Sequence, residues 1–247
     1  MIRAGRIGPV NRIPRRSVSQ ALVAALLTDQ LMSWQQERGV DAVTVLDVGG
    51  GTGGLASHLA DLGHTVTVID PSADALASLE RRAAESGVGS RLTGRQGDAS
   101  DVVDLVGPAA ADLVVCHRVL EVVDHPVDAL AAMATCLRPG GLLSLLVPGR
   151  RAAVLGHALN GQFEAAGDAL TDERRFDPDQ IVTMLGQVGF EVTAQHGVGA
   201  IADLVPESAV ESQTARDQLT ALEQRTGTDP AFRALAPQLH VAARLAP

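Results

Sequence analysis

Aromatic side chains are nearly missing from this chain: among 247 residues Tyr is absent, Trp occurs once and Phe four times. A hydrophobic content of 46% must therefore be met by Ala, Leu and Val, and stacking on aromatic rings is scarce as a means of recognition. Lysine is absent too, so all twenty basic residues are Arg. The surplus of acids leaves a net charge of -9, which argues against a general nucleic-acid surface, because counterion release needs clustered cations; a local basic patch stays open. Cysteine is limited to Cys116 and Cys136, too few and too far apart for a disulfide framework or a zinc site, and both are read as reduced thiols. The seven histidines show no metal-ligand spacing, so no metal is assigned. No apolar run reaches the roughly 18 residues of a membrane span, and no apolar segment with a small-residue cleavage site follows the N-terminal arginines. The protein is therefore expected to be soluble and cytoplasmic, with no membrane partner.

What is present is organised around Val43-Thr44-Val45-Leu46-Asp47-Val48-Gly49-Gly50-Gly51-Thr52-Gly53-Gly54. An apolar, β-branched run meets an acid and five glycines, and Leu55, Leu59 and Leu62 then follow at helical spacing, which reads as strand, tight turn, helix. Glycines there let a ligand approach the backbone and permit positive φ. Before this unit, residues 1–16 carry five Arg and no acid, a basic arm that is either a tail or a lid over anionic groups. A helix from Ser17 or Ser19 to Arg38, with Leu22, Leu26, Leu27, Leu31 and Trp34 near one face, is expected beside the sheet or over the cleft.

After it come strands at Thr65–Asp70, Arg91–Gln96, Asp112–Cys116 and Leu142–Val147, with helices at Asp74–Ala84 and Pro126–Leu137 between them. Further helices are expected at Arg151–Leu170, from Asp177-Pro178 to Gly189, around Ser208–Thr226 and at Pro230–Leu235, with strands at Phe190–Val198 and His240–Leu245. Alternating strands and helices predict an α/β fold, a doubly wound, seven-stranded and mostly parallel sheet. The division expected is an arm and helix over residues 1–40, then a domain over 41–247 with helical cap insertions around 149–176 and 199–238.

Gly49-x-Gly51-x-x-Gly54, with Asp70 about 20 residues on, satisfies a dinucleotide-binding fingerprint. Asp47-x-Gly49-x-Gly51-x-Gly53, the strand-end acids Asp70 and Asp98, and the Leu137-Arg138-Pro139-Gly140-Gly141 turn resemble instead the motifs of class I methyltransferases. That resemblance implies S-adenosyl-L-methionine as cofactor, whose ammonium, ribose diol, adenine amine and sulfonium ask for carboxylates and carbonyls rather than cations. It places Asp47 and the backbone of Gly49, Gly50, Gly51 and Gly53 at the methionine portion, with the Cys116-His117 backbone near the sulfonium. Asp70, beside Pro71, would take the ribose hydroxyls, and Asp98, beside Ala99, the adenine amine.

Cys116-His117-Arg118-Val119-Leu120-Glu121-Val122-Val123-Asp124-His125-Pro126 is similar to the corresponding segment of the bacterial tRNA 5-carboxymethoxyuridine methyltransferases, which methylate a carboxylate on a wobble uridine. Leu159–Phe163, Asp177-Pro178-x-Gln180, Leu222-Glu223 and His240-Val241-x-Ala243-Arg244 extend the likeness along the chain. Ile13-Pro14-Arg15-Arg16-Ser17 and Gly199-Ala200-Ile201-Ala202 depart from it where that family has aromatic and basic residues. The acceptor thus stays open between tRNA and a small molecule, and no catalytic residue is assigned. A carboxylate nucleophile needs no base; for a hydroxyl acceptor His117 is the candidate base, or else a structural residue. Arg118 and Arg150 are candidate partners for a substrate carboxylate, or else surface charges.

Overall fold

The computed structural model describes residues 16–246, so the basic arm, apart from Arg16 at the start of the first helix, lies outside the described residues. The first element is α1 (Arg16–Arg38), followed by β1 (Thr44–Val48), α2 (Gly54–Asp61), β2 (Thr65–Asp70), α3 (Ala73–Glu85), β3 (Leu92–Gln96), α4 (Val102–Val106), β4 (Ala111–His117), α5 (Pro126–Cys136) and β5 (Leu137–Pro148). The chain continues through α6 (Arg150–Leu159), α7 (Phe163–Ala169), α8 (Pro178–Gln187), β6 (Phe190–Val198), a 3-10 turn at Glu207–Val210, α9 (Gln213–Thr228), α10 (Pro230–Leu235) and β7 (Gln238–Leu245).

The seven strands lie in the order β3-β2-β1-β4-β5-β7-β6, and β7 alone runs antiparallel to its neighbours. The order reverses direction between β1 and β4, which opens a crevice beyond their carboxyl ends, where ligands bind in open α/β sheets. On one face Leu27, Leu31 and Trp34 of α1 pack with Val45, Val66 and Leu113; on the other Leu130, Met133 and Ile181 from α5 and α8 pack with Leu46, Val114 and Leu143. Each such buried side chain contributes about 1.5–3 kcal/mol relative to exposure. The α1 helix thus lies beside the sheet over most of its length. Near its start Leu22 and Val23 reach Leu146 and Val198, at the carboxyl ends of β5 and β6.

Three expectations change in detail. Gly161, at φ 72, breaks the helix expected over Arg151–Leu170 into α6 and α7. β5 starts at Leu137 rather than Leu142, because the Arg138–Gly141 segment is held in place from outside. Trp34 Nε1 donates to the Gly140 carbonyl at 2.9 Å, and Arg138 pairs with Asp112 at 2.7 Å. The five-residue α4 was not anticipated; it is too short to show a period.

Candidate functional site

The turn after β1 is held by the backbone, with the Gly49 amide donating to the Ile69 carbonyl at 2.7 Å and the Gly53 amide to Gly50 at 3.0 Å. Gly49, Gly51 and Gly53 have φ of 70, 56 and 73, the left-handed region that favours glycine. A Cβ at Gly49 would lie 2.4 Å from Val119 Cγ2, one at Gly50 2.4 Å from Asp47 Oδ2, and one at Gly53 2.5 Å from Leu79 Cδ1. At Gly54 a Cβ would meet nothing within 4 Å and φ is not positive. The glycine that completes the dinucleotide fingerprint is therefore dispensable, whereas Gly53, which belongs to the other pattern, is required.

Asp70 ends β2 with both oxygens oriented: Oδ2 accepts from the Gly51 amide at 2.9 Å and Oδ1 from the Ser72 amide at 2.9 Å. Asp47 is buried beneath the turn, 3% exposed. Burial, with Asp70 nearby as a second cause, pushes its carboxyl up to about 7. Asp98 sits in the open, where hydrogen bonds from the Ser100 hydroxyl at 2.6 Å and the Ser100 amide at 2.7 Å to Oδ1 hold its carboxyl below the usual range.

A groove of about 760 Å³ runs along the crevice, and Gly49, Asp70, Pro71, Asp98, Ala99 and Arg118 are on its wall. Of the residues expected at the site, these first five line it together. Gly50, Gly51 and Gly53 shape the turn behind them, and Asp47 supports that turn from below. Cys116 is fully buried in the core, its thiol pushed up by burial first and then by Glu121 and Asp47, so any contribution to the groove is from its backbone.

His117 turns toward the opposite face of the sheet. Its Nε2 lies 2.9 Å from Ser144 Oγ, and the same oxygen lies 2.9 Å from His240 Nε2. Burial lowers His117 to about 4 and, with His117 and His196 as further causes, His240 to about 3. This chain was not anticipated, although Ser144 is a lone polar residue in the apolar run Leu142–Val147 and so gave a faint signal.

The two arginines expected to meet a carboxylate have different fates. Arg150 is used internally, donating to the Arg175 carbonyl at 2.8 Å and to Gln180 at 2.9 Å and pairing with Asp177 at 3.3 Å. Arg118 lines the groove with its side chain 66% exposed, 3.5 Å from Glu121. Its φ of 63 is rare for a side-chain-bearing residue and marks a strained strand end of the kind found at ligand sites. Glu223 was also missed as a positioning group. Fully buried on α9, it accepts from the amides of Ala200, Ile201 and Ala202 at 2.7–2.9 Å and holds the turn after β6.

The donor set identifies the ligand class. Asp70, Asp98, Asp124 and Asp128 line the groove against Arg118 on its wall, an acidic balance that suits amine, hydroxyl and sulfonium groups and not a pyrophosphate. The glycine cradle and the acids that end β2 and β3 fit S-adenosylmethionine, which supplies a methyl group carried on a sulfonium. Among the described residues no helix is long and apolar enough to cross a membrane, and no group of three or more His, Cys, Asp or Glu could hold a metal ion.

Comparison with known proteins agrees. A family model described as a methyltransferase domain matches residues 15–195. The tRNA 5-carboxymethoxyuridine methyltransferase of Escherichia coli (strain K12) is 29% identical over 229 residues, covering 87% of each chain. A ubiquinone biosynthesis O-methyltransferase of Burkholderia pseudomallei is 29% identical over 183 residues, covering 72% of this chain and 76% of its own. Two solved structures share the fold. A methyltransferase from Methanosarcina mazei has TM-score 0.58 and 18% identity, covering 83% of this chain and 93% of its own. A geranyl diphosphate methyltransferase solved in complex with S-adenosylmethionine has TM-score 0.58 and 15% identity, covering 83% and 79%. The chain belongs to the methyltransferase domain family and is an S-adenosylmethionine-dependent methyltransferase.

Proposed function

We propose that this enzyme transfers methyl to a carboxylate oxygen, and that the carboxymethoxy group of a modified tRNA wobble uridine is its acceptor. The observation that carries this reading is the length of the likeness to the E. coli tRNA enzyme. A match covering 87% of the chain extends past β6 wherever it begins, and so reaches beyond the cofactor half into the segment that Glu223 organises. Chemistry supports it as well: a carboxylate is already a nucleophile, so the site needs alignment more than a base. Arg118 at the groove offers the cation that would orient such an acceptor.

Asp47 and the turn Gly49–Gly53 hold the methionine portion in this reading, Asp70 the ribose hydroxyls, and Asp98 the adenine amine. A second reading keeps the cofactor and takes a small-molecule acceptor; the net charge of -9 and the ubiquinone-pathway relative favour it.

Transfer of radiolabelled methyl from S-adenosylmethionine to bulk tRNA and, separately, to a small-molecule extract distinguishes the two. Label in tRNA that mild alkali releases as methanol is expected, because an ester hydrolyses where an ether does not. Label confined to small molecules, or alkali-stable label in tRNA, overturns the first reading.

A further inference from the structure

The His117–Ser144–His240 chain lies outside the cofactor groove, on the face of the sheet covered by α1, and no step of methyl transfer to a carboxylate uses it as a base. A serine hydroxyl has one hydrogen. Ser144 is fully buried, its Oγ lies 2.9 Å from Nε2 of both rings, and among the described residues it has no other side-chain partner, so its one hydrogen goes to one of the two nitrogens: that Nε2 accepts from Oγ, and the other, left without a hydrogen to accept, donates to it. The ring of His240 decides which. Its Nδ1 is buried without a partner. The groups acting on this layer are His117 and His196 on His240, and Arg233 on His196; none is a carboxylate that would accept from an Nδ1–H. The His196 and His117 rings stand 6.4 and 6.0 Å from that of His240, and the His196 Nδ1 is likewise buried and unpartnered. The proton of His240 therefore belongs on Nε2, where it donates to Ser144. Ser144 then donates to His117 Nε2, which leaves the proton of His117 on Nδ1.

We propose that Ser144 and His240 are positioning residues that fix His117 as the Nδ1–H tautomer, a hydrogen-bond donor for an oxygen of the carboxylate acceptor. His117 is half-buried at the carboxyl end of β4, next in sequence to Arg118 on the groove wall. This role rests on the carboxylate reading above and reverses the one open to His117 with a hydroxyl acceptor, where a lone pair and not a proton must face the substrate. Burial, which keeps both rings neutral near neutral pH, is consistent with it.

The test is a long-range proton–nitrogen correlation spectrum of the uniformly nitrogen-15-labelled full chain near neutral pH, assigned with His117→Gln and His240→Gln. The proton is expected on Nδ1 of His117 and on Nε2 of His240, and Ser144→Ala is expected to abolish the bias at His117 while Ser144→Thr keeps it. With bulk tRNA as acceptor, Ser144→Ala should raise KM about tenfold, the order of one hydrogen bond to a charged group, and Ser144→Thr should restore it. A proton on Nε2 of His117, or a Ser144→Ala variant with unchanged tautomers, overturns the proposal. Failure of the acceptor reading is separate: it shows as absence of methylated tRNA, whatever the tautomers are.

Discussion

The Gly51 amide donates to Oδ2 of Asp70 across 2.9 Å, and this bond joins the glycine turn after β1 to the acid that ends β2. Its companion from the Ser72 amide to Oδ1 fixes the second oxygen, and Ser72 in turn caps α3 by accepting from Ala75 at 3.2 Å. The carboxylate is thus held in one orientation by backbone, leaving a second lone pair on each oxygen for a ligand's hydroxyls. Little side-chain freedom remains to be lost on binding.

Gly50 and Gly54 make a paired prediction. An alanine Cβ at position 50 would fall 2.4 Å from Asp47 Oδ2 and 2.9 Å from Val68 Cγ1, and relieving such overlap costs about 1–3 kcal/mol. Gly50→Ala is expected to weaken S-adenosylmethionine binding at least tenfold in calorimetry, and Gly54→Ala to leave it unchanged. Equal effects at the two positions would mean that the turn is not fitted as described.

Asp47 makes a prediction in pH. Its carboxyl is raised from an ordinary 3.8 to about 7 by burial and by Asp70, so the folded protein binds that proton more tightly than the unfolded chain does. The stability tied to this group is complete below the unfolded value and is lost as pH rises through about 7, an effect of order ~4 kcal/mol. Asp47→Asn should therefore raise the Tm of the ligand-free protein near pH 8 and change it little near pH 4. The same variant should bind S-adenosylmethionine more weakly, since its ammonium would lose a carboxylate partner. A Tm that falls at the higher pH would show that the Asp47 anion stabilises the fold.

Glu223 makes a prediction in stability. Removing its carboxylate strands the buried amides of Ala200 and Ala202, with that of Ile201, and loss of a buried charged acceptor of this kind costs about 3 kcal/mol or more. Urea denaturation of Glu223→Ala should show a lowered midpoint, with Glu223→Gln in between. An unchanged midpoint would indicate that the turn after β6 satisfies its amides without help.

The cofactor half of this molecule was legible because its signals are local. Asp47 and Asp70 stand near the ends of apolar, β-branched runs, Asp98 follows the more polar strand Arg91–Gln96, and a glycine cluster can be read without knowing what packs on it. Gly53 and Gly54 look alike in sequence and differ through the positive φ of Gly53 and through Leu79, which α3 brings to it and not to Gly54. The acceptor side was less legible because its relationships are long-range. Ser144 meets His240 across 96 positions, and Glu223 meets the 200–202 amides from another helix, so neither has a spacing to recognise. Arg150 carried a charge that suggested a substrate role until its partners at Arg175, Asp177 and Gln180 were in view.

The most direct measurement is calorimetric titration of S-adenosylmethionine into the wild-type chain and into Asp70→Ala, with circular dichroism to verify that the variant is folded. Saturable one-to-one binding is predicted for the wild type and none for the variant. Unchanged affinity in a folded Asp70→Ala protein would contradict the placement of the cofactor in the groove between the glycine turn and the acid that ends β2.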